Sequence, residues 1–286
     1  MNEDIQEVIR QYDALGDGEF TRFEREGVRG KLTYQTELAE LVEHTAPGET
    51  VLDAGGGAGK FAIPLAERGR NVSLLDISGE QCRIAAEKVT SSGPDSRLDV
   101  TRGDIRSTGF ESTTFDSIIC VGGALSHVLG DVEQALAEFA RVAKDGATLV
   151  VSVMNRSMSH KDLPHALQAE EGELPERLVE LARKKRQQRD EYEDTIGPFY
   201  KYSTEEMRST LERHGFEVTR TMAIDRHPIF LEPLLETAWD DAEVRQALAS
   251  YERTVSALPW FQDTGNMTLL VSRLERRPFI PTTSRA

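Results

Sequence analysis

The stretch VLDAGGGAGKFAIPLAERG, residues 51–69, decides the fold of this chain. An apolar strand ends at Asp53, a glycine run that includes Gly55, Gly57 and Gly59 follows, and a helical pattern begins at once. Glycine tolerates positive φ and lets the main chain approach a ligand closely, and the first turn of a helix presents free N–H groups. The stretch therefore predicts a ligand-binding turn between a strand and a helix.

Glycine-rich turns of this kind occur in sites for nicotinamide, flavin and S-adenosylmethionine, and the surrounding acids distinguish among them. Asp53 would repel the pyrophosphate of a dinucleotide, whereas S-adenosylmethionine carries a cationic amine and a sulfonium. Asp76 ends the next apolar strand, 23 residues later, and can accept hydrogen bonds from ribose hydroxyls. Asp104 follows the third strand and can accept from an adenine amino group, with Ile105 covering the ring. The sequence therefore predicts an S-adenosylmethionine site formed by Asp53, Gly55, Gly57, Asp76, Ile77, Asp104 and Ile105.

Each of these residues also has a purely structural interpretation. The glycines can form a tight strand-to-helix turn whether or not a ligand binds. Asp76 could cap the following helix, and Asp104 could be a turn residue. His127, in the segment after the fourth strand, is either a buried packing residue or part of the site of methyl transfer.

Strand and helix patterns alternate from residue 50 to residue 154, which predicts a parallel sheet wrapped by helices on both faces. DAGGGAG, the acid of LLDIS, GDI and the ALSHV segment occur in the order seen in class I S-adenosylmethionine-dependent methyltransferases, which residues 48–155 resemble. The resemblance implies a Rossmann-like α/β fold with a doubly wound, seven-stranded sheet whose last strand is antiparallel. Residues 216–224 and 267–274 would supply strands six and seven.

The same resemblance predicts a single methyltransferase domain over residues 1–286. Helices are expected at residues 2–15 and 34–45, and a polar helix at 176–192. Because ligands bind beyond the carboxyl ends of parallel strands, the segments after strands five and six should project over the cofactor and form the acceptor pocket. The predicted parts are a preamble, 1–46; a core, 48–155 with 203–224 and 266–275; and two lid insertions, 156–200 and 225–265.

The methyl acceptor is less well defined than the donor. Methyl transfer from a sulfonium is an in-line displacement, so an acceptor that is already nucleophilic needs no base. The CVGGALSHV segment after strand four lacks the Asn-Pro-Pro-Tyr type of sequence of exocyclic-amine methyltransferases and the acid pair of metal-dependent catechol methyltransferases. This favours an acceptor that needs little base assistance, or a base outside the core, and His127 is the one catalytic candidate. We expect no metal requirement, because no cluster has metal-ligand spacing.

A closer resemblance concerns the acceptor. RGKLTYQTEL, the SVMN end of strand five and the tail LASYERTVSALPWFQDTGNMTLLVSR look like the bacterial tRNA 5-carboxymethoxyuridine methyltransferase family, which esterifies the carboxylate of a modified wobble uridine. Members of that family carry a cofactor-contacting Arg three residues after the preamble glycine. Here that position is Thr33, and Arg29 and Lys31 are the candidates to replace it. The alternatives are a small-molecule methyltransferase and, more distantly, a non-catalytic cofactor-binding regulator.

Charge and cysteine content bound the partners and the compartment. The 49 acidic residues outnumber the 34 basic ones, of which only 8 are Lys, and the net charge is -15. Such a surface resembles proteins adapted to high salt, with an ordinary acidic enzyme as the alternative. The dense basic cluster RKKRQQR, residues 183–189, either contacts an RNA backbone or is a solvated helix face. Two cysteines, no secretory N-terminus and no long apolar run predict a cytoplasmic protein without a membrane span.

Overall fold

The computed structural model describes residues 3–92, 97–156, 191–194, 197–225, 236 and 239–276. The helices are α1 Glu3–Leu15, α2 Asp17–Phe20, α3 Arg22–Arg25, α4 Gly27–His44, α5 Ala62–Glu67, α6 Gly79–Ser92, α7 Val132–Val142, α8 Thr204–Arg213 and α9 Ala242–Ser256, with two 3-10 helices, Ala124–Asp131 and Pro259–Phe261. The strands are β1 Thr50–Ala54, β2 Asn71–Asp76, β3 Leu98–Arg102, β4 Phe115–Cys120, β5 Ala143–Met154, β6 Glu191–Asp194, β7 Gly197–Tyr200, β8 Phe216–Ile224 and β9 Met267–Leu274. Among the described helices, none combines the length and apolar character needed to cross a bilayer.

Seven strands form one sheet in the order β3-β2-β1-β4-β5-β9-β8. Strands β1 to β5 pair in parallel, and β9 runs antiparallel to both of its neighbours, β5 and β8. The predicted seven-stranded sheet with an antiparallel last strand is therefore confirmed. Because β8 runs in the same direction as β5, the carboxyl ends of six strands meet at one edge of the sheet.

The sheet is buried on both faces, as a parallel sheet between helices requires. Successive residues of the central strands point to opposite sides. One side buries Leu52, Ile118 and Val151, and the other buries Val51, Ile119 and Val150. These two apolar layers hold the strand ends in place, and the turns that follow those ends carry the polar side chains.

The preamble contains four helices where the sequence predicted two. Helix α1 matches the prediction, but α4 begins at Gly27, seven residues before the predicted start at residue 34. Glycines at the start of a helix weaken its apolar pattern. Gly30 is nevertheless required there, because a Cβ atom at this position would lie 2.3 Å from the carbonyl oxygen of Phe23. The close approach lets α3 pack against α4.

The lid insertions are described in part. Residues 176–190 of the predicted polar helix lie outside the described residues. The prediction was wrong at its last two residues, because Glu191 and Tyr192 belong to β6, which pairs with β7 in a two-stranded antiparallel sheet. A helical pattern of polar residues cannot reveal that the backbone is hydrogen-bonded to a later strand. In the second insertion, α9 packs beside α4 and β8.

Candidate active site

A cleft that is partly open to solvent lies at the carboxyl ends of β1, β2, β3 and β4. One wall comes from these strands and the turns after them, and further lining residues come from the preamble helices α1 to α3. All seven predicted cofactor-binding residues line the cleft: Asp53, Gly55, Gly57, Asp76, Ile77, Asp104 and Ile105. The parallel topology explains this convergence, because it places the ends of successive strands side by side.

Asp53 is a buried carboxylate with unused hydrogen-bonding capacity. Its side chain is 2% exposed, and its Oδ2 atom has no hydrogen-bond partner. Burial raises the pKa of Asp53 to about 7, and the nearby Asp76 carboxylate adds to the rise. A Cβ atom at Gly56 would lie 2.6 Å from that oxygen, so the close approach of the turn to Asp53 requires glycine. A buried carboxyl group at the wall of a cleft, with one oxygen unpartnered, is suited to a cationic ligand group.

Asp76 organises the glycine turn. Its Oδ2 accepts a hydrogen bond from the N–H of Gly57 at 2.8 Å, and its Oδ1 accepts from the N–H of Ser78 at 2.8 Å. A carboxylate has about four acceptor sites, so capacity for ligand hydroxyls remains. Burial raises the pKa of Asp76, although these two N–H groups oppose the rise. The alternative role as a helix cap is filled by Ser78, whose Oγ accepts from the N–H of Gln81 at the start of α6.

Asp104 also lines the cleft, but its carboxylate is occupied by a neighbour. Arg106 donates from Nη2 to Oδ2 at 2.6 Å and from Nε to Oδ1 at 3.0 Å. Its backbone N–H donates to Oδ1 at 2.9 Å, which is a turn contact. Burial alone would raise the pKa of Asp104, but the hydrogen bonds from Arg106 hold it below its usual value. The turn interpretation and the ligand interpretation therefore both have a structural basis.

Two turns pack directly against each other at the base of the cleft. Gly55 has a φ of 78°, and a Cβ atom there would lie 2.5 Å from the Cβ of Ala124, the first residue of the 3-10 helix after β4. Gly122 and Gly123, just before that helix, also have positive φ values. A side chain at Gly55 would force the two turns apart, and side chains at Gly122 and Gly123 would be strained by the positive φ, so glycine is needed at all three positions.

The preamble supplies lining residues that the sequence interpretation missed. Tyr12, Glu19 and Arg22 all line the cleft. The Nε atom of Arg22 lies 3.2 Å from Glu19 Oε1, yet it makes no hydrogen bond because the geometry is unfavourable. The only sequence signal was an Arg between aromatic residues, in Phe20-Thr21-Arg22-Phe23, which is weak.

The two predicted replacements for the family's preamble arginine lie elsewhere. Arg29 donates from Nη1 to both carboxylate oxygens of Asp225, at 2.6 and 2.7 Å, and it also pairs with Glu26. Neither Arg29 nor Lys31 is among the residues that line the cleft. In their place, the structure puts the guanidinium of Arg22 at the cleft wall, facing Gly122.

His127 lies in the wall of the cleft, is 5% exposed and is held at both ring nitrogens. Nδ1 lies 3.0 Å from the carbonyl oxygen of Pro198 in β7, and Nε2 lies 3.2 Å from the hydroxyl of Tyr12 in α1. A carbonyl only accepts, so Nδ1 carries the proton and Nε2 accepts from Tyr12. Burial lowers the pKa of His127 to about 4, so the ring is neutral at pH 7. His127 therefore joins α1 to β7, and its basic nitrogen is already occupied.

The described residues of the two lid insertions do not line the cleft, although β7 reaches it through the contact between Pro198 and His127. Residues 157–190 and 226–235, which include the basic cluster 183–189, lie outside the described residues. Cys120 is fully buried at the end of β4. In the part of the chain that the structure describes, no group of His, Cys, Asp and Glu side chains could hold a metal ion.

Sequence comparison identifies a domain of known type over the strands that form the cleft. A family model described as a methyltransferase domain matches residues 51–146. The demethylmenaquinone methyltransferase of Thermobifida fusca is 30% identical over 153 residues, which cover 53% of this chain and 62% of that protein. The glycine/sarcosine N-methyltransferase of Aphanothece halophytica is 31% identical over 157 residues, covering 54% of this chain and 55% of that protein. The chain thus spans about half the length of the curated relatives that it matches.

Solved structures extend the likeness in fold to most of the chain. A chain of the Haloferax volcanii complex between the Trm112 methyltransferase activator and a putative methyltransferase gives a TM-score of 0.57 at 21% identity, covering 93% of this chain and 98% of that one. The [4+2]-cyclase SpnF gives a TM-score of 0.57 at 19% identity, covering 85% of this chain and 81% of that one. These identities establish fold and leave function to the site. With the matched domain at residues 51–146, the seven-stranded sheet and three acids at the strand ends, the chain carries a methyltransferase domain with the Rossmann-like fold of the class I S-adenosylmethionine-dependent methyltransferases.

Proposed function

We propose that the protein binds S-adenosylmethionine in this cleft and transfers its methyl group to a small-molecule acceptor. The observation that carries the proposal is the buried carboxylate of Asp53, with one oxygen unpartnered at the end of β1. A cationic ligand stabilises such a group, whereas the pyrophosphate of a dinucleotide destabilises it. The site therefore favours a sulfonium cofactor over a nicotinamide or flavin dinucleotide.

The charges of the cleft match the parts of S-adenosylmethionine in kind. Asp53 is suited to the cofactor's ammonium group and Arg22 to its carboxylate, because each supplies the opposite charge. Asp76 retains acceptor capacity for the ribose hydroxyls. Ile105 offers an apolar surface for the adenine, and Asp104 can accept from its amino group if Arg106 yields one oxygen.

The cofactor supplies an activated methyl group, and the chain's own residues hold the reactants and exclude water. The preamble side of the cleft contributes apolar side chains that displace water, among them Ile5, Val8, Phe20 and Phe23. His127 is neutral and hydrogen-bonded at both nitrogens, so it positions α1 and β7 and does not accept a proton from the acceptor. We therefore infer an acceptor that is nucleophilic without a base.

A small acceptor suits the lining of the cleft. Apolar side chains such as Ile5 and Phe23 stand beside a few charged ones, as is usual in sites for small molecules and cofactors. The Thermobifida fusca and Aphanothece halophytica relatives are named for demethylmenaquinone and for glycine and sarcosine, which are small molecules of very different polarity. They support the size class of the acceptor and do not choose its chemistry. The two cysteines, both free thiols, fit the cytoplasmic location that we propose.

The test is to incubate the protein with S-adenosylmethionine labelled in its methyl group. Total tRNA and a small-metabolite extract from the source organism are supplied separately, at low and high salt. Label in the small-molecule fraction is the expected result. Label in tRNA that mild alkali releases would instead support the wobble-uridine ester. No label in either fraction, despite cofactor binding, would favour a cofactor-binding regulator.

A further inference from the structure

Two buried hydrogen bonds in series connect helix α4 of the preamble to the turn that follows β4. Ser152 in β5 donates from Oγ to Oε1 of Glu37 in α4 at 3.2 Å, and the same hydroxyl accepts from the N–H of Gly122 at 2.8 Å. Glu37 is 1% exposed and Ser152 is fully buried. Gly122 lines the cleft, so this series of hydrogen bonds reaches the candidate active site.

The direction of the Gly122 N–H fixes the peptide unit to which it belongs. Strand β4 lies between β1 and β5, and Ser152 is on the β5 side. In a trans peptide the N–H and C=O groups point in opposite directions. The carbonyl of Val121 therefore points away from the Ser152 hydroxyl. Val121 lines the cleft together with Gly122.

Glu37 is buried among charged groups and a hydroxyl that affect its ionisation. Burial raises the pKa of Glu37 to about 7, Arg22 in α3 and the Ser152 hydroxyl oppose the rise, and Asp225 and Glu26 add to it. Two further polar atoms on the same helix, Thr33 Oγ1 and Thr36 Oγ1, are buried without partners. Of these three buried residues, Glu37 alone has a hydrogen-bond partner, and that partner leads to the cleft.

We propose that Glu37 and Ser152 are positioning residues for the cofactor site, which hold the Val121–Gly122 peptide with its carbonyl turned towards the cleft. A carbonyl held in this orientation is an acceptor for an N–H donor, such as a ligand ammonium group, without further rearrangement. This inference rests on the proposed function, because the ligand it serves is the cofactor. The two residues act through the peptide and do not touch the cofactor.

Ser117 provides a matched control. It is a buried serine in β4, its Oγ donates to Glu49 Oε2 at 2.7 Å, and it lies towards the amino end of the strand, away from the cleft. Ser117→Ala and Ser152→Ala each remove one buried hydroxyl bonded to a glutamate. Ser152→Ala should lose more stability, because it also leaves the Gly122 N–H without its partner, so ligand affinity and not stability is the readout that distinguishes the two sites.

The experiment compares binding of S-adenosylhomocysteine to the full-length variants by calorimetry. Ser152→Ala should bind about fivefold more weakly than the wild type, as expected for the loss of one hydrogen bond, and Ser117→Ala within about twofold. Glu37→Leu should weaken binding as Ser152→Ala does, and Glu37→Gln, which keeps an acceptor for the serine, should recover most of the affinity. Equal affinities for the Ser152→Ala and Ser117→Ala variants would overturn the proposal.

A second readout needs no cofactor. The comparison is made in the Asp53→Asn background, because the pKa of Asp53 is also raised to about 7. With Glu37 present, the amide signal of Gly122 in the NMR spectrum should shift between about pH 6 and 8 as Glu37 ionises, and with Glu37→Gln it should not. A Gly122 signal that titrates alike in both proteins overturns the link between Glu37 and the peptide. A wild type that fails to bind S-adenosylhomocysteine contradicts the proposed function instead, and this NMR comparison then decides the structural link by itself.

Discussion

Acidic side chains lie at both ends of the parallel strands, but their pKa values are shifted in opposite directions. At the amino ends, Asp116 accepts from Lys144 at 2.8 Å and from the Thr50 hydroxyl at 2.7 Å. Burial there is outweighed by these partners, which hold the pKa of Asp116 below its usual value. At the carboxyl ends, Asp53 keeps one oxygen without a partner, and burial raises its pKa to about 7.

Acids at the amino ends of the strands therefore serve stability, whereas Asp53 at the carboxyl ends is available to a ligand. Paired acids at the amino ends help to hold strands and turns together, whereas an unpaired buried acid costs free energy in the unliganded protein. Departures from full pairing are expected at functional sites, where a ligand completes the missing interactions. The comparison therefore predicts that substitutions at the two ends have different consequences.

The largest expected effect on ligand affinity is at the carboxyl end. Asp76→Ala removes the carboxylate that orders the glycine turn and that we assign to the ribose, so it should cost about 2 kcal/mol or more of affinity for S-adenosylhomocysteine, or about 30-fold. Asp116→Ala at the amino end should change that affinity less than about twofold, while lowering the free energy of unfolding. Calorimetry and denaturant unfolding measure both quantities. Similar affinities for the two variants would remove the distinction between the ends.

Asp53 should show the cost of its burial as a pH dependence of stability. In the unfolded chain it ionises near its ordinary pKa of 3.8, but in the folded protein only near 7. Between these values the folded state binds more protons, so its contribution lowers the free energy of unfolding as pH rises from about 4 to 7. Asp53→Asn cannot ionise and should gain up to about 4 kcal/mol over the wild type at pH 8 and little at pH 4.

The matched substitution at the amino end, Asp116→Asn, should change stability in the opposite direction. The pKa of Asp116 is lowered in the folded protein, so its contribution is present above its ordinary pKa and is lost as pH falls. Asp116→Asn should therefore be less stable than the wild type at pH 8. Thermal unfolding of the unliganded proteins from pH 4 to pH 8 tests both variants. A destabilised Asp53→Asn at pH 8 would show that the carboxylate is paired after all.

A smaller loss of ligand affinity is expected for Arg22, which the preamble contributes to the cleft. Arg22→Ala should weaken S-adenosylhomocysteine binding by about 1.5 kcal/mol, or roughly tenfold, because a charge-assisted contact with the ligand carboxylate is lost. Arg29→Ala should instead lower stability, since it leaves Asp225 without its bidentate partner. If Arg29→Ala weakened binding and Arg22→Ala did not, the assignment of the preamble arginine would have to be reversed.

The smallest effect concerns the contact between the preamble and β7. Tyr12→Phe removes the hydroxyl that donates to His127 and should lower the free energy of unfolding by about 1 kcal/mol. Because burial lowers the pKa of His127 to about 4, this loss should be the same at pH 5.5 and pH 8. A loss that changes near pH 6.5 would mean that His127 titrates there and is available as a base.

The sequence predicted the core better than the walls of the site. Asp53, Asp76 and Asp104 end or follow apolar strands, and parallel strands bring such ends together, so local pattern was sufficient to bring them to one cleft. Strand boundaries at 216–224 and 267–274 were also confirmed. In each of these cases the deciding interactions are local in sequence.

The contribution of the preamble could not be predicted in the same way. Tyr12 and Arg22 reach the cleft because α1 to α3 fold across the strand ends, and such packing depends on contacts distant in sequence. The contact of Tyr12 with His127 spans 115 residues, and that of Glu37 with Ser152 also spans 115. The partner of Asp104 was missed for another reason. Arg106 is only two residues away in sequence, but the turn decides the direction of its side chain.

The central claim is that Asp53 and its neighbours form a site for S-adenosylmethionine, and calorimetric titration of the wild-type protein with the demethylated product tests it most directly. S-adenosylhomocysteine and NADH are titrated in parallel under the same conditions. We predict saturable one-to-one binding of S-adenosylhomocysteine and no measurable heat from NADH. Tight binding of NADH, with none of S-adenosylhomocysteine, would contradict the account and indicate an oxidoreductase.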